Sequence, residues 1–146
     1  MTFDQLDDFY IPTQGYYTKL YASASPKKTN DKHYLQAGIR SIWAKRMGQN
    51  ALVLDVEAAG HNNSGSVYTS PYRLGGYHRL SGYEQNQFIG NYVLFGSVSY
   101  RYRSPWKMLN EPLILGASLE SGNTWNSLSD IDTKGLKMSG SLFGAI

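Results

Sequence analysis

Apolar and polar side chains alternate with period two through segments of about ten residues, and this restricts the fold more than any other feature. In GYYTKLYASAS (15–25), Tyr16, Thr18, Leu20, Ala22 and Ala24 share one side of an extended chain, and Tyr17, Lys19, Tyr21, Ser23 and Ser25 the other. Residues 33–43 set Leu35, Ala37, Ile39 and Trp43 against Gln36, Gly38 and Arg40. The clearest case is 51–60, where Leu52, Leu54, Val56 and Ala58 oppose Val53, Asp55, Glu57 and Ala59. Residues 91–103 oppose Tyr92, Leu94, Val98, Tyr100 and Tyr102 to Ser97, Ser99, Arg101 and Arg103. Residues 113–121 place Leu113, Leu115 and Leu119 opposite Ser118 and Glu120, and 136–146 place Met138 and Leu142 opposite Lys137, Ser139 and Ser141. Only Leu35 to Met47 competes as a helix, and its alternation is at least as good.

Polar or Gly-rich stretches separate these segments at 26–32, 48–50, 60–90, 104–112 and 122–134. Pro105 and Pro112 argue that 104–112 is a connection and not a central strand, because proline cannot donate to a ladder. The expected class is all-β and antiparallel, with about six long strands whose length suits a transmembrane β-barrel. Ten extended residues rise ~33 Å. Tilted by ~40° they cover ~25 Å, the height of an outer-membrane barrel's apolar band. Long connections at 26–32, 61–90 and 122–135 fit outward-facing loops, and 48–50 fits a short turn at the other end; 104–112 is long for such a turn. Tyr16, Tyr17, Trp43, Tyr100, Tyr102, Trp106 and Trp125 fall near the expected strand ends, where amphipathic rings suit the boundary between hydrocarbon and water.

Composition narrows the function classes. The 146 residues are one domain's length. Charged residues are 17%, below the roughly 25% of an ordinary globular chain. With no Cys, disulfides and thiolate metal sites are excluded, and the scattered His33, His61 and His78 could not by themselves build a zinc centre. Net charge is +3 and scattered, whereas a nucleic-acid binder clusters its basic residues on one face, so no nucleic-acid partner is expected. A mean hydropathy of −0.42 and the lack of any 18-residue apolar run exclude a spanning helix and not a spanning strand, whose apolar residues fill every second position. The G-x-S-x-G elbow, P-loop, dinucleotide fingerprint and H-E-x-x-H motif are all missing. Asp55 and Glu57 read better as a solvated face than as an acid/base pair, and His78 as an ordinary loop residue. No catalytic residue, metal or cofactor is expected.

Three stretches carry a family likeness. RLGGYHRLSGY (73–83) resembles the signature loop of the bacterial surface antigen superfamily, the outer-membrane barrels of BamA-like assembly and two-partner-secretion proteins. That loop reads Leu-Gly-Gly, a few residues, then Val/Leu-Arg-Gly-Phe/Tyr, followed by a Gly-Asn strand start, here Gly90-Asn91. Pro12-Thr13-Gln14-Gly15 looks like the family's Pro-Thr-x-Gly strand opening, and Gly122-Asn123-Thr124-Trp125 like the Gly-Asn-x-Trp strand end of the branch fused to patatin-like phospholipases. Ser81 stands where the family has its central Arg, as that branch also does.

The resemblance implies that the loop (Leu74, Gly75, Gly76, Arg79, Leu80, Ser81, Gly82, Tyr83) folds into the lumen. The family's Arg pairs there with acidic wall residues; Ser81 cannot, and Arg79 is the candidate substitute. Arg40, Asp55, Glu57, Arg101 and Glu120 are the expected lumen-facing residues. The resemblance further implies a non-enzymatic translocator or anchor in the bacterial outer membrane, in contact with lipid and with a passenger or partner domain. The six strands would form part of a larger transmembrane β-barrel, as the ninth to fourteenth of sixteen. The chain (1–146) is thus expected to be a fragment, with any hydrolase domain elsewhere in the full protein.

The rival reading is a small soluble barrel or sandwich that turns its leucines inward onto an apolar ligand. A further alternative, a polysaccharide binder, needs an aromatic platform such as Tyr68, Tyr72, Tyr77 and Tyr83. On the barrel reading Arg is costly at Leu54 and tolerated at Val53.

Overall fold

A computed structural model describes residues 1–8, 10–25, 34–63, 70–108 and 111–145. Its strands are β1 (Thr2–Asp4), β2 (Gly15–Ser25), β3 (Tyr34–Met47), β4 (Asn50–Asn63), β5 (Tyr72–Leu74), β6 (Phe88–Gly90), β7 (Tyr92–Met108), β8 (Glu111–Trp125) and β9 (Lys137–Ala145). Seven of them form one antiparallel sheet in the order β1-β2-β3-β4-β7-β8-β9, and β5 pairs with β6 separately. The protein is all-β and antiparallel. Two 3-10 turns, Leu128–Asp130 and Thr133–Gly135, lie between β8 and β9.

The strands that alternation predicts are present: β2 matches its expected bounds, β9 is slightly shorter, and β3, β4, β7 and β8 are longer. β4 continues to Asn63 and β8 to Trp125, because ladder pairing reaches past the last alternating residue. β1 and the β5–β6 pair were not expected, being three residues each and too short to show a period.

The 104–112 connection is corrected. β7 runs through Pro105 to Met108 and β8 begins at Glu111, leaving 109–110, which lie outside the described residues. The prolines are accommodated because the register shifts between Arg103 and Lys107, so Pro105 falls in the interruption, while Pro112 sits one residue inside the strand start. At the same end of the sheet, β3 and β4 are joined by Gly48-Gln49, where Gly48 takes φ 67°, a value that favours glycine. Long segments therefore join the strands at one end (64–91, 126–136) and two-residue connections at the other (48–49, 109–110), with 5–14 as the exception.

Register sorts the side chains onto two opposite faces. One row crosses Tyr16, Trp43, Leu54, Val98 and Leu119. The next crosses Thr18, Ser41, Val56, Gly96 and Ser121, and the one after it Leu20, Ile39, Ala58 and Leu94. This face is open: Leu54 is 42% exposed, Leu119 65% and Leu142 86%. The opposite face carries the row Tyr17, Ile42, Asp55, Ser97, Glu120 and Ser139, and Glu120 is 2% exposed. The leucines do not converge on a dry centre, as a soluble barrel binding an apolar ligand would require.

Two expectations about the faces need correction. Tyr17 lies on the polar face and so leaves the aromatic set; Tyr16, Trp43, Tyr100 and Tyr102 mark the short-turn half of the apolar face, with Tyr92 paired to Trp125 at the other end. Val53 was expected to be wet, yet it is only 4% exposed, because it lines a cavity with Tyr10 and Pro12 of the folded-back segment 10–14.

Candidate functional site: a loop docked on the polar face

The small buried core lies on the polar face, where the segment between β4 and β7 folds back over the sheet. Leu74 and Leu80, 1% and 0% exposed, pack on Val93 and Phe95 of β7, with Ala59, Tyr72, Tyr83 and Phe88 around them. Burying two leucines to this extent contributes about 3–6 kcal/mol. That area is compensation for ordering a loop that is otherwise polar.

The Leu-Gly-Gly sequence has a geometric reason here. Gly75 and Gly76 take φ 112° and 101°. A Cβ on Gly75 would sit 2.2 Å from the Glu84 carbonyl oxygen. The Gly75 amide donates to the Arg79 carbonyl at 2.8 Å and the Arg79 amide to the Gly76 carbonyl at 2.9 Å, closing a tight turn. Leu80 and His78 also take positive φ, 71° and 59°. For Leu80, complete burial offsets the strain.

Two polar anchors hold the tip. The Arg79 guanidinium donates to Glu57 at 2.7 Å and lies over the Phe95 ring, 5.4 Å from its centroid. The Ser81 amide and hydroxyl donate to Glu120 at 2.6 and 2.9 Å. Glu120 also accepts from the Ser118 and Ser139 hydroxyls at 2.8 and 3.0 Å. A carboxylate taken out of water is costly unless its lone pairs are filled, and four donors fill them. Arg79 thus stands on an acidic residue of the sheet, while Ser81 reaches a second one by hydrogen bonding alone. Gly82 is exposed, and a Cβ there would meet only Ser139, at 3.2 Å.

The remaining polar-face residues form a second group. Arg40 pairs with Asp55 at 2.8 Å. Arg101 donates to the Pro12 carbonyl at 2.8 Å and lies 6.0 Å from the Phe143 ring centroid. Arg40, Asp55, His78, Ser99, Arg101 and Glu120 line a cavity of about 170 Å³. The His78 ring is tilted against Tyr77, 3.9 Å between centroids, and meets Phe143 edge-on at 5.1 Å. Burial pushes the His78 imidazole below its ordinary value and Arg101 adds to this, with Glu120 opposing. The His78 amide donates to the Ser81 hydroxyl at 3.1 Å.

Sequence reasoning missed the partners that only register supplies. Ser139 faces Glu120 directly across β8 and β9. It also missed the N-terminal clasp. Asp7 accepts from the amides of Thr13 and Gln14 at 2.8 and 2.9 Å, from the Thr13 hydroxyl, and from Arg46 at 2.9 Å. The local signal was Asp7-Asp8 beside Pro12-Thr13, a loop-forming composition. The proposed aromatic platform is not assembled. Tyr72 bonds to Tyr21 and Gln36, Tyr83 packs in the core, Tyr77 alone is exposed (70%), and Tyr68 lies outside the described residues, as does His33. Among the described residues no cluster of His, Asp or Glu is arranged to hold a metal ion.

A scan against protein-family models finds none that matches this chain, and a search of curated proteins finds no match either.

Proposed function

We propose that the chain is a segment of a bacterial outer-membrane β-barrel of the surface antigen type. It most resembles the barrel fused to patatin-like phospholipases, and its work is to translocate or anchor a passenger or partner domain. One observation supports this most strongly. On the apolar face, between the rows of Met47 and Trp125, Lys45 is the only charged residue among those described, while large apolar side chains there stay open. Soluble monomers rarely expose contiguous apolar patches beyond a few hundred Å². Acyl chains are the surroundings in which such a face costs nothing. The polar face then lines a wet lumen, and the docked loop 72–90 narrows it.

The mechanism is physical. Leucine and valine side chains partition into hydrocarbon, and backbone groups are satisfied by the ladder. Arg79 and Ser81 fix the loop through Glu57 and Glu120, so that releasing those two contacts widens the path. The sheet's outer strands, β1 and β9, each have one unpaired edge here, which further barrel strands would cover.

The test is the solvent requirement of folding. The purified chain is diluted from urea into plain buffer, detergent micelles and lipid vesicles, and followed by circular dichroism and sedimentation. Strand signal with a dispersed particle is expected only in detergent or lipid. A dispersed monomer that unfolds cooperatively in plain buffer would overturn the proposal.

A further inference from the structure

Lys45 sits at one corner of the apolar face, near the short turn Gly48-Gln49. Its cross-strand neighbour is Leu52, followed in the same row by Tyr100, Ala117 and Leu142. One row nearer the turn, Asn50 lies beside Tyr102. Lys45 is exposed, and the side chains of Lys45, Asn50, Tyr100 and Tyr102 have no hydrogen-bond partner among the described residues. Four polar groups, one of them cationic, are therefore left unpaired at the rim of an apolar surface. Directly beside them runs a groove of about 460 Å³ lined by Leu52, Val98, Tyr100, Ala117, Leu119 and Leu142. Its lining is almost wholly apolar, and Gly140 on its floor leaves it open.

We infer that this corner binds one anionic glycerophospholipid. The phosphate pairs with the Lys45 ammonium, Asn50 and the two phenols supply further donors, and an acyl chain lies in the groove. The charge pattern selects the headgroup. A zwitterionic lipid brings its own cation, and among the described residues the rows of Lys45 and Asn50 offer no carboxylate to receive it. An anionic lipid satisfies Lys45 and leaves nothing unpaired. The inference rests on the membrane reading above, and it adds a lipid class and a binding site to it.

Native mass spectrometry tests it, with the intact chain released from detergent after incubation with dioleoyl phosphatidylglycerol or dioleoyl phosphatidylcholine. One lysine at a membrane surface corresponds to about a five-fold preference. The wild-type chain should retain one phosphatidylglycerol at roughly five-fold lower lipid concentration than phosphatidylcholine. Lys45→Ala should abolish that preference, and Lys137→Ala, on the polar face, should preserve it. Leu119→Trp, which fills the groove, should reduce retention of both lipids. Equal retention of the two lipids by the wild-type chain, or a preference that survives Lys45→Ala, overturns the site. Those outcomes leave the membrane reading standing if the chain still requires lipid to fold. A chain that folds as a monomer in buffer and retains neither lipid overturns both.

Discussion

Removing the Glu120 carboxylate should loosen the docked loop more than removing its other polar anchor, Glu57. Glu120 is 2% exposed and accepts four hydrogen bonds. In Glu120→Ala the Ser118 hydroxyl keeps an alternative partner, Ser141, 2.8 Å away, so the loss falls mainly on the two bonds from Ser81. Each hydrogen bond to a charged acceptor contributes roughly 1.5–3 kcal/mol. Because both come from one residue they are not additive, and about 3 kcal/mol is the sensible total. That corresponds to roughly a 150-fold rise in the loop's opening equilibrium. Leu74, Leu80 and the Arg79–Glu57 pair remain, so the loop should stay docked for most of the time. Hydrogen exchange of the Ser81, Gly82 and Tyr83 amides in micelles reads this directly. Glu57→Ala is the comparison: its partner Arg79 is one-third exposed, so the expected effect is about 1 kcal/mol, or roughly five-fold. Exchange in Glu120→Ala that rises less than three-fold, or less than in Glu57→Ala, would refute the view that Ser81–Glu120 is the main anchor.

Gly75→Ala should undock the same loop through backbone strain and a clash with the Glu84 carbonyl, seen as proteolytic nicking between Leu74 and Phe88 that the wild-type chain resists. Partial burial alone would raise the Asp7 carboxyl, but hydrogen bonds from Thr13 and Gln14 and the Arg46 charge outweigh it and bring it from 3.8 to about 2. A depressed carboxyl stabilises the clasp above its unfolded value, and that contribution is lost as pH falls through about 2. The Thr13 and Gln14 amide resonances should therefore shift between pH 4 and 2, and Asp7→Asn should remove the transition. Leu54→Arg should cost ~2–4 kcal/mol in vesicles if Leu54 faces the bilayer midplane. A penalty in vesicles of no more than about 0.5 kcal/mol, the range of an ordinary surface substitution, would count against a lipid-facing leucine.

Much of this architecture was legible in the chain, and for a simple reason. A strand's side chains alternate with period two regardless of what it packs against. Leu52, Leu54 and Val56 could therefore be separated from Asp55 and Glu57 by counting. Gly48, Gly75 and Gly76 marked places where the backbone turns with positive φ. Counting could not say which face is buried, because the inverted arrangement obeys the same period. It also could not pair Ser139 with Glu120 or bring Arg79 to Glu57, since both depend on how strands distant in sequence are registered and on a loop lying across them. Val53 went the wrong way for that reason: its own strand put it with Asp55, and a segment some forty residues earlier buried it. Local chemistry set the extended segments and their turns. The tertiary structure decided which side meets solvent, because burial depends on every strand and loop that covers a residue and not on the residue's own neighbours in sequence.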